Sequence, residues 1–297
     1  MAGGEPGWHF PFVQFEFAHP LGPADGRYVT RPEAGAEPER IVVLATVGAP
    51  RRATIARRTP RRLEGGEGEP APVPTARATV IRAQRFESRE AADRWLDELR
   101  RDSAALEADA AEAARELNAL LRAHRAAAAD PHVRDVAPTG ATVVRVGHGS
   151  GQQVADGRYS AACEVPPPSR RSRTRRRAEA LAPDERLAAI LGRREDVLAS
   201  EELVLRARAD IDAERPREAA LQARIALEAL LAELAGSPSA TELAELEADR
   251  EAVARAANEA LDDDPVADLQ ETVAEAVRRM EAALRRRRLH RRSPEST

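Results

Sequence analysis

The sequence has no lysine: all 46 of its basic residues are arginine. That excludes a Walker-type phosphate lysine, a lysine Schiff base to pyridoxal phosphate and the lysine of a kinase ion pair. Arginine cannot replace lysine as a Schiff-base nucleophile, because its guanidinium stays protonated and delocalised. Cysteine is nearly absent as well. Cys163 stands alone, so an intramolecular disulfide and a cysteine-type structural zinc site are both excluded. Aromatic residues make up only 3% of the chain, and the core must therefore be built mostly from Ala, Leu and Val. Long apolar runs are missing too. The longest, Ile41 to Ala49, falls far short of the ~20 residues that a membrane-spanning helix needs. Met1 to Trp8 carries neither the basic nor the apolar region of a signal peptide. The expectation is a cytoplasmic protein with no membrane partner.

What is present is a chain of 297 residues, 42% hydrophobic, with 50 acidic residues and a net charge of -4. That length suits one large domain or two ordinary ones. The aromatics divide it. Six of the nine lie in the first 28 residues, and none follows Tyr159. The first half reads as a mixed α/β domain, the second as helices that pack through small side chains. The fold class expected is α+β: an N-terminal mixed domain over 7–166 with a long heptad helix, a Pro/Arg linker over 167–177, and a helical bundle over 178–292 ending in an antiparallel hairpin.

Period-two patterning marks the strands. Trp8, Phe10 and Phe12 share one phase, and Val13, Phe15 and Phe17 the other; the slip after Pro11 predicts a bulge or a strand start. Further strands are expected at 27–30, 40–47, 78–86, 141–146 and 158–165, with Asp156-Gly157 as a hairpin turn between the last two. The string Ala-Asp-Gly-Arg-Tyr occurs at Ala24–Tyr28 and again at Ala155–Tyr159, which reads as reuse of a common turn. From Ser88 no Gly or Pro interrupts the chain until Pro131, and Leu99 and Leu106 belong to a seven-residue repeat. A single helix over 88–130 is expected, with room for a break near Ser103 that no residue demands, and with both leucines buried along its seam. In the second half helices are expected over 183–194, from a Ser200 cap to about 214, over 216–235, from a Thr241 cap to about 261, and beyond Pro265. The last two would leave a flank of Ala and Val for a further helix to cover, either 88–130 or a second copy of the chain.

Four features suggest chemistry. Gly147-His148-Gly149-Ser150-Gly151 is neither a dinucleotide fingerprint nor a nucleophile elbow. It could cradle an anion on backbone N–H groups or be a β-turn. His9 and His19, with Glu16, could join His148 and Ser150 as polar groups in a pocket walled by the early aromatics. No histidine pair has metal-chelating spacing; His124, Asp130, His132 and Asp135 cluster near the end of the long helix, where imidazole is favoured by the helix dipole alone. Three runs, 51–62, 170–177 and 285–292, hold six arginines each. They suggest nucleic acid. Against that, no aromatic interleaves with them to stack on bases, and 178–284 holds 26 acidic residues against 12 arginines, so the runs could pair with the acidic bundle.

The reading that follows is a non-enzymatic scaffold or adaptor acting through helical surfaces, with a protein partner or a second copy of itself. The alternatives are an arginine-rich nucleic-acid-associated protein and a small-ligand or enzyme module in the N-terminal domain, with His148, Gly149, Ser150, Gly151, His9 and His19 as its binding residues. No catalytic residue, metal or cofactor is assigned.

Overall fold

The computed structural model describes residues 8–48, 74–166, 186–235 and 240–292. The chain divides into two compact units, 1–170 and 171–297. Antiparallel strands and helices make up the first and a run of helices the second, so the protein is α+β.

The first unit is a six-stranded antiparallel sheet in the order β2-β3-β4-β1-β5-β6. Its strands are β1 (His9–Phe17), β2 (Gly26–Thr30), β3 (Arg40–Val47), β4 (Thr75–Arg82), β5 (Val143–Ser150) and β6 (Ala161–Glu164). β1 runs unbroken, without the expected bulge: Phe12 opposes Ile81 and Gly147, and Val13 opposes Val80 and Val146. The apparent slip in phase arises because this central strand buries both faces. Val13, Phe15 and Phe17 enter the core beneath the helices, while Phe12 joins Val43, Ile81 and Val154 on the opposite face. Pro11 is tolerated in so central a strand for a local reason. The carbonyl of His9 accepts from the Phe86 N–H, so odd-numbered backbone groups of β1 face the β4 side. Pairing there ends at Phe12–Ile81, and the missing N–H of Pro11 costs no ladder bond.

The heptad stretch is two helices, α1 (Arg89–Arg101) and α2 (Ser103–Ala128). Asp102 breaks it. Its backbone is extended, its N–H closes α1 on the Leu99 carbonyl, and its carboxylate accepts from the N–H groups of Ala104 and Ala105. An aspartate that caps a new helix outweighs continuity of the apolar repeat. α2 lays Leu106, Ala110, Ala113, Ala114, Leu117 and Leu121 on the sheet, and α1 buries only Ala92 and Leu96. Leu106 is buried as expected, while Leu99 is half-buried against the same core. Across the helix–sheet layer, Arg40 reaches Glu112 at 3.0 Å, and Arg82 reaches Asp109 at 2.7 Å and Glu112 at 3.1 Å.

The β5 region departs most from expectation. The strand extends through Gly147, His148, Gly149 and Ser150, where a loop was expected. Asp156-Gly157 is not a two-residue hairpin. β5 and β6 are joined by a short helix, α3 (Gly151–Ala155), after which Gly157 turns the chain with a φ of +75°. Of the two Ala-Asp-Gly-Arg-Tyr copies, one opens β2 and the other follows α3, so they occupy different local structures.

In the second unit residues 186–191 are helical, followed by α4 (Ala199–Asp212), α5 (Pro216–Leu234), α6 (Ala240–Glu259) and α7 (Ala267–Arg292). Their shared core is rich in alanine: Ala207, Ala220, Ala223, Ala226, Ala256, Ala260, Ala276 and Ala283 surround Leu227, Leu230, Leu246 and Met280. Small side chains let the helix backbones approach, and the leucines fill what remains. Two expectations need correction here. Ser200 is not the α4 cap; that position is Leu198. The α6–α7 hairpin does not leave its second flank open, because α4 and α5 cover it within the unit. Neither 88–130 nor a second chain is needed for that.

Candidate functional site

The sheet brings two of the singled-out histidines together. His148 on β5 pairs with Pro11 in register, and His9 pairs with Ser150. The two imidazoles are therefore diagonal neighbours on the helix-facing side of the sheet. Their Nδ1 atoms lie 3.1 Å apart. The other nitrogen of His148, Nε2, lies 2.9 Å from Asp93 Oδ1 on α1. His148 is fully buried at 0% exposure, and the Phe86 ring stands edge-on to it at 6.3 Å. Burial lowers the basicity of His148, against the opposing pull of the Asp93 carboxylate. With His148 neutral, one set of tautomers satisfies every contact: Nε2–H donates to Asp93, and Nδ1 accepts from the Nδ1–H of His9. Asp93 was not singled out from the sequence. It is one carboxylate among many along its helix, and only the packing of α1 on β5 brings it to His148.

The glycine-rich string has a structural explanation. A Cβ on Gly147 would collide with β6, coming within 2.7 Å of Ala162 Cβ, so glycine there permits close strand approach. Ser150 Oγ accepts from the Gln153 N–H, and the Gln153 side chain accepts from the Ser150 N–H, forming a capping box for α3. The backbone donors that could have cradled an anion at Ser150 and Gln153 are thus engaged by side chains of the same turn.

The other expected residues lie apart. His19 is exposed beyond the far end of β1, with its Nδ1 3.1 Å from the Pro20 carbonyl oxygen. Glu16 pairs with Arg145 at 2.7 Å. The single pocket expected to unite His9, His19, Glu16, His148 and Ser150 does not form. Near the end of α2, Asp135 is held by Arg122 at 2.9 Å, and Asp130 accepts from the His132 N–H. Among the described residues no three His, Cys, Asp or Glu side chains are grouped to hold a metal ion, and no helix is long and apolar enough to cross a membrane. The arginine runs 51–62 and 170–177 lie outside the described residues; the third lies within α7. Burial raises the pKa of the Cys163 thiol, which keeps it protonated and a poor nucleophile.

A recess lies on the sheet face away from α2. α3 and Tyr159 cover only part of that face, with Val154 in its small core and the Tyr159 ring stacked on Phe12 at 5.8 Å. Beside them runs a groove of about 740 Å³. Phe10, Ile41 and Ile81 supply apolar lining, and Arg27, Glu37, Gln84 and Gln152 supply polar groups. Gly151 lines it as well, the one member of the glycine-rich string that does. The sequence signal for this groove was the alternation in β1 and β3, which leaves Phe10 and Ile41 on the face that α2 does not cover.

Comparison with protein-family models, with curated proteins and with solved structures found no match for this chain.

Proposed function

We propose that the chain is a non-enzymatic adaptor that receives a partner in the groove on the open face of its sheet. The observation that supports this is the groove itself: an apolar lining from three different strands with donors and acceptors of both charge signs among it. Apolar area supplies affinity in such a site, and a few polar groups supply orientation. The recognition surface moves from helices to sheet in this reading, because α4 to α7 bury most of their apolar residues in their own core, with Leu205 and Ile225 left exposed. Catalysis is not part of it. His148, the best-positioned titratable group, is sealed from solvent and has both nitrogens engaged.

A second reading is a small-ligand module. The volume of about 740 Å³ falls within the roughly 300–1,000 Å³ of small-molecule sites. Native mass spectrometry of the purified full chain distinguishes the two. A macromolecular adduct supports the adaptor, and a small-molecule adduct the module. Ile81→Arg places a charge in the groove and should abolish either adduct. If adducts persist unchanged in a folded Ile81→Arg protein, both readings fail. Binding to nucleic acid through the arginine runs would appear instead as retention on heparin that falls steeply with salt and ignores Ile81→Arg.

A further inference from the structure

The histidine pair has a property that neither ring has alone. At 3.1 Å between Nδ1 atoms, the contact is a hydrogen bond only if one nitrogen carries a hydrogen and the other presents a lone pair. One added hydrogen fits this geometry: placed on Nε2 of His9, it leaves the His9 Nδ1–H donating to neutral His148. A second proton has no such arrangement. Two Nδ1–H groups would then point at each other between two imidazolium rings, with His148 fully buried.

The surroundings do little to relieve that repulsion. α1 contributes Asp93, which holds His148 Nε2 at 2.9 Å, and Arg89, whose guanidinium is 3.8 Å from the other Asp93 oxygen. Arg89 partly neutralises the one carboxylate available. β1 contributes His9. On the remaining sides stand Phe86, and Ala161 and Ser160 leading into β6, none of which carries charge. α1 buries fewer side chains than α2. Only Ala92 and Leu96 are fully buried, and Trp95 packs on Phe86 at 5.2 Å.

We propose that His9, His148 and Asp93 form an acid-sensitive latch, in which the closed contact admits one hydrogen between the two Nδ1 atoms and a second releases α1 from the sheet. The latch lies on the helix-facing side of β1 and β5 and does not depend on what occupies the groove. Burial of His148, which disfavours its charged form, ensures that the second proton is resisted in the closed state and taken up on opening.

Trp95 reports the event. The chain has two tryptophans, Trp8 and Trp95, and Trp8 is exposed, so Trp8→Phe leaves Trp95 as the only emitter. In that full-length protein the emission maximum should move to longer wavelength as the pH falls from 8 to 5.5, and return on neutralisation. His9→Gln in the same background keeps a donor but removes the second titrating ring, and the shift should disappear. An emission maximum that does not move in the parent overturns the proposal, as does an equal shift in the His9→Gln protein. If His9→Gln does not fold at pH 8, histidine ¹⁵N spectra of the parent decide. The His148 ring must then titrate together with the Trp95 shift, and a shift that runs ahead of His148 overturns the latch.

Discussion

The two units fill their interiors by opposite means. In the first, a few large rings on one central strand carry the core: Phe12, Phe15 and Phe17 are each at most 2% exposed. In the second no aromatic is present, and eight alanines set the helices close together among six leucines, four valines and one methionine. The difference teaches where each unit is vulnerable. A core built on large side chains loses most when one is removed, because the surroundings cannot collapse into the space. A core built on small side chains loses most when one is enlarged, because nothing can move aside.

Phe15→Ala should therefore give the largest effect, a loss of about 3–5 kcal/mol read as faster amide exchange throughout the sheet, with α4 to α7 keeping their protection. A similar loss of protection in both units would show that their stabilities are not separate. Ala223→Leu in α5 makes the converse change and should cost about 1–3 kcal/mol, confined to the helical unit. If it instead raises the melting temperature, the alanine core holds unfilled space and the contrast between the units is wrong. Asp102→Ala removes a cap and should cost about 1 kcal/mol, visible as loss of protection in the first turn of α2; unchanged exchange there would mean that sheet packing alone sets the break. Acid should also separate the units. Because burial lowers the basicity of His148, the unfolded chain takes up a proton that the folded sheet resists. Stability of the first unit should fall as pH drops below about 6.5, the usual histidine value, and be flat above it, with His148→Gln removing that slope. The smallest effect belongs to Arg250→Gln. Its pair with Glu228, at 2.7 Å, lies half-exposed between α5 and α6, and its loss should be undetectable in high salt.

How much of this was legible depended on whether a signal was local. β3 was read with its observed bounds because Arg40 to Val47 is β-branched and bounded by a turn-former at Gly48. The start of α5 was read from Pro216, which suits the first turn of a helix. β5 was misjudged because Gly147 and Gly149 look like loop residues unless β6 is already known to press against them. The helix break at Asp102 was visible in principle, since aspartate is a preferred cap, but an uninterrupted apolar repeat spoke more loudly. Nothing local could join His9 to His148 across 139 positions. Their meeting is a product of sheet register, and so is the groove lined by Phe10, Ile41 and Ile81.

Glu233 illustrates the same dependence on distant chain in the helical unit. α4 is preceded by Leu198, whose side chain cannot receive its first N–H groups. The carboxylate of Glu233, near the end of α5, takes them: Oε1 accepts from the Ala199 N–H at 2.9 Å, and Oε2 accepts from the Ser200 N–H at 3.2 Å and the Ser200 hydroxyl at 2.5 Å. The first turn of α4 is thus completed by a single residue, made 34 positions after Ala199 and 33 after Ser200. A chain emerging from synthesis cannot close that turn until α5 has formed and folded back. The expected order is therefore that the first turn of α4 gains protection no sooner than the last turn of α5. Pulse-labelled exchange during refolding, with Ala199 and Ser200 gaining protection no sooner than the last turn of α5, is the signature to look for; Glu233→Gln should delay it further.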